Sequence, residues 1–157
     1  MRPAFLIAML AVLVPVCILM LQQAPRALDV ISVNTLADPL TTPPNGSCSL
    51  REAIDNANSP GADTSGGDCA TGTGDDTIDF SLSGTITLSG TLPAIANTSP
   101  NSLTIDGSGQ SITIDGAGLY QVLVLNAVAT LNLNDLTIAH GNAIGNGGGS
   151  SMADHLS

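Results

Sequence analysis

The chain has 157 residues, and its 13 acidic residues outnumber the 3 basic ones to give a formal net charge of −10. A chain so poor in cations has almost nothing from which to build a phosphate-binding groove, so no nucleic-acid partner is expected. Aromatic residues make up 2% of the chain, which leaves little for stacking on bases or sugar rings. The 43% of hydrophobic residues indicate a folded protein, and the length allows one domain.

The N-terminal segment is predicted to direct export. Arg2 precedes an apolar run from Ala4 to Leu21, and two glutamines follow it. A positive start followed by such a run is typical of a signal peptide. The run is also about as long as a membrane-spanning helix, so an uncleaved signal anchor is the alternative. We assign residues 1–27 to this signal and expect an extracellular or cell-surface protein that meets the membrane only through it.

Two of the three cysteines, Cys48 and Cys69, lie beyond the signal segment. An even pair in an exported protein predicts a disulfide, since oxidising compartments preserve it. Closing a loop of about 20 residues stabilises the fold by about 3 kcal/mol in the chain-entropy model. Metal binding is the alternative, which the lack of a C-x-x-C motif or a nearby histidine disfavours.

Residues 28–76 are predicted to form an N-terminal cap. Alternating apolar residues between Leu28 and Leu40 predict a first strand that ends in a turn-rich segment. The period then changes to that of a short amphipathic helix, whose apolar stripe is Leu50, Ala53, Ile54 and Ala57.

Local signals set the bounds of this helix. Ser49 and Glu52 form a predicted capping box, and the sequence Asn-Ser-Pro-Gly at residues 58–61 ends the helix. Arg51 is placed to pair with Asp55, four residues further along. A loop rich in Asp and Gly follows and carries the second cysteine.

Residues 77–149 contain short period-2 runs with no helical segment between them: TIDFSL, TITL, SLTID, SITID, VLVLN and TLNLNDLTI. The predicted inward positions are nearly all aliphatic: Ile78, Phe80, Leu82, Ile86, Leu88, Leu103, Ile105, Ile112, Ile114, Leu131, Leu133, Leu136 and Ile138. An antiparallel sandwich and a parallel β-helix both fit such runs. Strong two-residue hairpin signals are missing, and LTIDG and ITIDG are near copies. The pattern therefore favours an all-β fold, a parallel β-helix of few coils capped by the short helix.

The string CSLREAI at residues 48–54, followed by a second cysteine and GDDTIDF, resembles the CSLREA-type N-terminal region of bacterial secreted proteins. The continuation, with LTIDGSG, ITIDGAG and LNDLTIAHGNA, is similar to the first coils of right-handed parallel β-helices, including proteins related to chlamydial polymorphic outer-membrane repeats. The resemblance covers about residues 30–149. It implies a cell-surface or secreted solenoid, often anchored at its C-terminus, and it transfers no catalytic residues.

Residues 150–157, SSMADHLS, form an irregular tail without periodicity. Because solenoids need several stacked repeats and a polar terminal cap, we expect the chain to be the opening part of something longer. The last coil would then expose an unpaired edge at which copies self-associate.

The acidic strand ends have two interpretations. Asp106 and Asp115 are a candidate carboxylate pair for glycoside hydrolysis. Turn chemistry is favoured instead, with the aspartate bonding local backbone and the following glycine supplying a positive φ. A polysaccharide lyase needs a basic residue to remove a proton, and the one candidate, Arg51, is occupied on the helix.

A single calcium-binding candidate precedes the first run. GTGDDTI at residues 72–78 matches the core of calcium-binding nonapeptide repeats, which makes Asp75, Asp76 and Asp79 candidate Ca²⁺ ligands. Solvated loop acids are the alternative, since the stacked neighbour that completes such a site is missing. His140 and His155 have no partners that suggest a triad or zinc, and both are expected to be exposed.

The sequence therefore predicts an exported surface or secreted protein with a structural or adhesive role and no catalysis of its own. Its expected partners are a surface polysaccharide or another cell-surface protein. Two alternatives stay open: the N-terminal part of a carbohydrate-active lyase or hydrolase whose active coils lie further along, and a small Ca²⁺-binding module.

Overall fold

A computed structural model describes residues 29–41, 44–98 and 101–142. Within these ranges the elements in chain order are β1 (Asp29–Val33), α1 (Leu50–Ala57), β2 (Asp76–Phe80), β3 (Gly84–Thr87), β4 (Leu103–Asp106), β5 (Ile112–Asp115), β6 (Leu131–Asn134) and β7 (Leu136–Ala139). The predicted signal, residues 1–27, and the tail, residues 150–157, lie outside the described residues. In the part of the chain that is described, no helix has the length and apolar character needed to cross a membrane.

The strands form two parallel sheets. The first has the order β1-β2-β4-β6 and the second the order β3-β5-β7. From β2 onward the chain alternates between them, so that each pass adds one strand to each sheet. The register keeps like side chains in line: Ile78, Ile105 and Leu133 are successive partners in the first sheet. Aliphatic residues therefore stack on one another along each sheet.

The fold is α/β, and the predicted all-β right-handed parallel β-helix is wrong. The described strands form two parallel sheets of four and three strands, together with one short helix. Ala53 and Ile54 of α1 are fully buried in the same core as Ile31 and Ile78. Alternation of apolar residues shows only that a strand has one buried face. It does not say to which sheet the strand belongs, nor how much of the core a helix supplies.

Most of the predicted inward positions are confirmed. Eight are buried: Ile78, Phe80, Ile86, Leu88, Leu103, Ile105, Ile112 and Ile114. The other five are partly buried: Leu82, Leu131, Leu133, Leu136 and Ile138. Four of these five belong to β6 and β7, the last strands of the two sheets.

Two of the predicted runs form something other than one strand. VLVLN contributes a single isolated bridge, between Leu125 and Ile95. TLNLNDLTI is divided at Asp135, whose φ of 48° turns the chain from β6 in one sheet to β7 in the other. Aspartate tolerates this left-handed conformation better than most residues because its short polar side chain can bond locally.

The ends of α1 are those that the sequence predicts. The Ser49 hydroxyl accepts a hydrogen bond from the backbone N–H of Glu52, and the Ser49 N–H donates to Glu52 Oε2 at 2.9 Å. This reciprocal capping box satisfies two backbone donors that a helix N-terminus otherwise leaves unpaired. Asn58 is the C-cap residue, and its N–H bonds to the carbonyl of Ile54.

Candidate functional site

Arg51 joins α1 to two distant segments of the chain. Its Nε and Nη2 atoms donate to the two carboxylate oxygens of Asp38, each at 2.8 Å. The same guanidinium donates to the backbone carbonyls of Thr91 at 2.8 Å and Gly90 at 2.9 Å. The side chains of Arg51 and Asp38 are 10% and 1% exposed. A buried ion pair is tolerated only when its remaining donors and acceptors are satisfied, and these carbonyls satisfy the guanidinium.

The predicted pairing of Arg51 with Asp55 is replaced by this contact with Asp38. Burial raises the pKa of Asp55, and the nearby charge of Arg51 offsets part of that rise. Helical spacing identifies neighbours on one helix face, but it cannot reveal a partner brought in from a loop 13 residues earlier.

Two asparagines near the end of α1 hold two further segments. Asn56 is fully buried, and its Nδ2 donates to the carbonyl of Ala70 at 3.0 Å while its Oδ1 accepts from the backbone N–H of Thr64 at 2.7 Å. Asn58 Nδ2 donates to the carbonyl of Ala94, and its Oδ1 accepts from the N–H of Ala96. Each amide therefore replaces backbone pairing for a segment that lies outside any strand.

The Cys48–Cys69 disulfide is confirmed and closes the loop that Asn56 organises. Both cysteines are buried. Asn34, just after β1, exchanges two hydrogen bonds with Cys48, since its N–H donates to the Cys48 carbonyl and its Oδ1 accepts from the Cys48 N–H. On the other side of the loop the Asp68 carboxylate accepts from the N–H groups of Asn45 and Gly46, both at 2.8 Å. The helix start, the disulfide loop and the first strand are thus one connected unit.

The structure gives the calcium-ligand candidates individual roles. Asp76 is buried, and its carboxylate accepts hydrogen bonds from the N–H groups of Thr73 and Gly74. Asp75 Oδ1 accepts from the N–H of Ser102 at 2.8 Å. Asp79 Oδ1 is buried without a hydrogen-bond partner among the described residues. Over the described residues no cluster of three or more His, Cys, Asp or Glu side chains is arranged to hold a metal. Calcium binding stays a prediction.

Asp106 and Asp115 lie at the ends of β4 and β5, in different sheets. Each bonds the backbone two residues further on, Asp106 to the N–H of Ser108 and Asp115 to the N–H of Ala117. The Ser108 hydroxyl, together with the Ser108 N–H, lowers the pKa of Asp106, and the Ala117 N–H lowers the pKa of Asp115. The predicted local turn bonding is confirmed. A glycosidase acid needs the opposite shift, a raised pKa.

The glycines that follow these aspartates act by size rather than by a positive φ, which corrects that part of the prediction. Neither has a positive φ. A Cβ atom on Gly107 would fall on the backbone carbonyl of Asp135, and one on Gly116 would lie 2.7 Å from the carbonyl oxygen of His140. The next strands pass so close at these corners that no side chain fits.

His140 is exposed, as predicted, with 73% of its side chain accessible. It also has a partner that the sequence did not reveal, since its Nδ1 lies 3.0 Å from Asp115 Oδ1. His155 lies outside the described residues.

The core is covered differently at the β1 and β3 edges of the two sheets than at the β6 and β7 edges. At the first end, α1 packs on β1, and Ile31, Val33 and Ile54 are fully buried. At the other end the aliphatic side chains of β6 and β7 are only partly buried, and neighbouring Leu125 is 47% exposed. We call these the braced end and the open end.

No family model, curated protein or solved structure matches the chain. Membership of the CSLREA-type group thus stays a prediction that depends on the residues quoted above.

Proposed function

We propose that the protein is an exported structural or adhesive module of the cell surface or extracellular space, without catalysis of its own. The proposal depends on one observation, which is that polar side chains and a disulfide hold irregular segments in place at the braced end. There, Arg51, Asn56 and Asn58 each bind a different irregular segment, and the Cys48–Cys69 bridge closes the loop between them.

This use of polar residues is what a scaffold needs. Irregular segments have few backbone partners, and every buried N–H or C=O left unpaired costs about 1–3 kcal/mol. The side chains of Arg51, Asn56 and the C-cap residue Asn58 provide those partners for residues 64–70, 90–91 and 94–96, and Asp38 provides one for Ser89. The polar side chains at the braced end therefore bind backbone groups of the protein itself.

Two further observations support export. A disulfide persists in oxidising compartments and is rare in the cytosol. The acidic groups at strand ends, such as Asp106 and Asp115, accept local backbone hydrogen bonds and face water, where their charge favours solubility. A surface polysaccharide or another cell-surface protein is the partner class that fits a scaffold in this location.

The thiol state in cells tests the proposal. Cells that express the full chain are quenched with acid and alkylated before lysis, and the modification of Cys48 and Cys69 is read by mass spectrometry. We expect both to be unmodified until a reductant is added, and the protein to be digested by a protease supplied outside the cells. Alkylated cysteines in a protease-protected fraction would overturn the proposal.

Adhesion is tested by coating beads with the purified oxidised chain. The number of cells that stay on the beads is measured, with cells of the kind that produces the protein. The matched control is the Cys48→Ser, Cys69→Ser variant, which lacks the disulfide and is otherwise identical in sequence. We expect retention with the oxidised chain and a clear decrease with the control. Retention no higher than that of uncoated beads would leave a purely structural role.

A further inference from the structure

We infer that the open end is a surface at which two copies of this chain pair edge to edge, β6 with β6 and β7 with β7, in antiparallel register about a two-fold axis. The inference depends on the fold alone and holds whether or not the protein is exported.

In the part of the chain that the structure describes, both sheets have an unpaired edge at this end. Among the described residues β6 pairs only with β4, and β7 only with β5. The carbonyls of Thr130 and Asn134 accept hydrogen bonds from the β4 side. Because alternate residues of a parallel strand bond to opposite neighbours, the N–H groups of Leu131 and Leu133 point away from β4. Such a row of outward groups is a template for another strand.

Apolar surface is exposed between these two edges. Leu131, Leu133, Leu136 and Ile138 pack against the core but stay partly exposed, whereas the equivalent residues one strand inward, such as Ile105 and Ile114, are fully buried. A second layer of aliphatic residues on this end would complete their burial, and the removal of this apolar surface from water favours association.

The difference between the two ends favours two-fold contact between two copies over head-to-tail contact. The edge strand β1 is packed against α1, and Asn34 beyond it is bonded to Cys48. Near β3, the Leu36 side chain packs against Gly84, and Asp38 accepts from the N–H of Ser89. Within the described residues, the core at the braced end is therefore already covered, so a head-to-tail neighbour would not bury its exposed aliphatic residues against an apolar surface there. Two open ends meeting face to face use the same residues on both partners, which a two-fold axis requires.

Charge also permits this contact. The chain is strongly acidic, so most surfaces of two copies repel each other. The outward side chains of β6 and β7, however, are neutral: Asn132, Asn134 and Thr137. The charge nearest to them in sequence is that of Asp135, which lies at the turn between the two strands.

The test compares paired variants of the full oxidised chain by light scattering and sedimentation. Asn132→Asp with Thr137→Asp places carboxylates next to their own copies across the axis, where like charges destabilise strand pairing. The matched control, Thr104→Asp with Thr113→Asp, adds the same charge to the register partners one strand inward. Any association through residues 1–28 is common to all three proteins.

We expect the wild-type chain and the control to double in mass as concentration rises towards about 1 mM, because short edges give a weak interface. The edge variant should stay monomeric, and added salt should restore part of its association. In addition, amide exchange followed by NMR should slow with concentration at Leu131, Leu133, Leu136 and Ile138, but not at Ile105.

Three results would overturn the inference. One is a wild-type chain that stays monomeric across this range, and another is equal loss of association in both variants. The third is a monomeric full chain that becomes dimeric once residues 143–157 are deleted, which would assign the open edge to the chain's own C-terminal residues.

Discussion

Arg51 on the helix and Asp38 in the loop after β1 form a bidentate ion pair, with both N–O distances at 2.8 Å. Asp38 accepts in addition from the N–H of Ser89, and Arg51 donates to the carbonyls of Gly90 and Thr91. The pair thus fixes three segments relative to each other. Arginine is suited to this position because its planar guanidinium presents several donors in a fixed geometry that matches a carboxylate.

Removal of one partner should therefore lower the free energy of unfolding more than removal of both. Arg51→Met leaves a buried carboxylate without a counter-charge, and we expect a loss of about 3–5 kcal/mol in the free energy of unfolding. The double variant Arg51→Met, Asp38→Leu should lose less than Arg51→Met alone, because no unpaired charge remains. Denaturant unfolding of the oxidised proteins measures both values. A double variant as unstable as the sum of its single changes would contradict a buried pair.

The disulfide is expected to act through the unfolded chain. Cys48 and Cys69 are 21 residues apart. In the chain-entropy model, reduction should lower the free energy of unfolding by about 3 kcal/mol. The Cys48→Ser, Cys69→Ser variant should match the reduced wild type in a denaturant titration and should itself be insensitive to reductant. A shift of that variant with reductant would mean that the effect does not come from the bridge.

The sequence predicted local features well, because these depend on neighbouring residues. The bounds of α1 and its capping box were found from spacing, and the disulfide was found from the even pair of cysteines beyond the signal segment. The inward positions of β2 to β5 were found from a period of two. Each of these signals lies within a few residues, except the disulfide, which needed only an even pair.

What the sequence could not provide was the arrangement of these elements. The strands of each sheet are far apart in sequence, and nothing in an alternating run states that β2 pairs with β4 and β3 with β5. The buried partner of Arg51 was missed for the same reason. Asn56 and Asn58 gave no periodic signal, since polar residues near a helix end are expected to face water or cap the helix.

Gly107 is predicted to be irreplaceable because the backbone of Asp135 leaves no room for a side chain there. A Cβ atom there would fall on the carbonyl of Asp135, so Gly107→Ala must push the backbone of the next strand away. Overpacking of this kind costs about 1–3 kcal/mol. Gly109 is the matched control, because its φ of +79° strains an alanine while no atom lies near its Cβ position. Thermal unfolding should show the larger loss for Gly107→Ala, and equal losses would assign both effects to backbone conformation.

Asp76 is expected to stabilise its loop without a metal. Its carboxylate accepts from the N–H groups of Thr73 and Gly74 and is buried, so Asp76→Asn turns an amide donor towards one of these donors. We expect a loss of about 1–3 kcal/mol, the cost of an unsatisfied buried group, which is equal in Ca²⁺ and in chelator. The calcium hypothesis predicts instead that Ca²⁺ raises the melting temperature of the wild type and that this rise is lost in Asp75→Asn, Asp76→Asn. The same titration decides between them.

Two aspartates should affect stability in opposite directions as pH changes. Burial raises the pKa of Asp55, so the folded state holds its proton more tightly than the unfolded state. Ionised Asp55 therefore opposes folding at neutral pH, and this opposition disappears as pH falls below the unfolded value of about 3.9. Asp55→Asn should be more stable than the wild type at neutral pH, with a difference that vanishes in acid.

Asp115 is the reverse case, since the N–H of Ala117 lowers its pKa. Its contribution is present above about pH 4 and lost as pH falls through its folded pKa, so Asp115→Asn should be the less stable protein at neutral pH. Denaturant midpoints across this pH range measure both, and the same sign for the two variants would contradict the assignment.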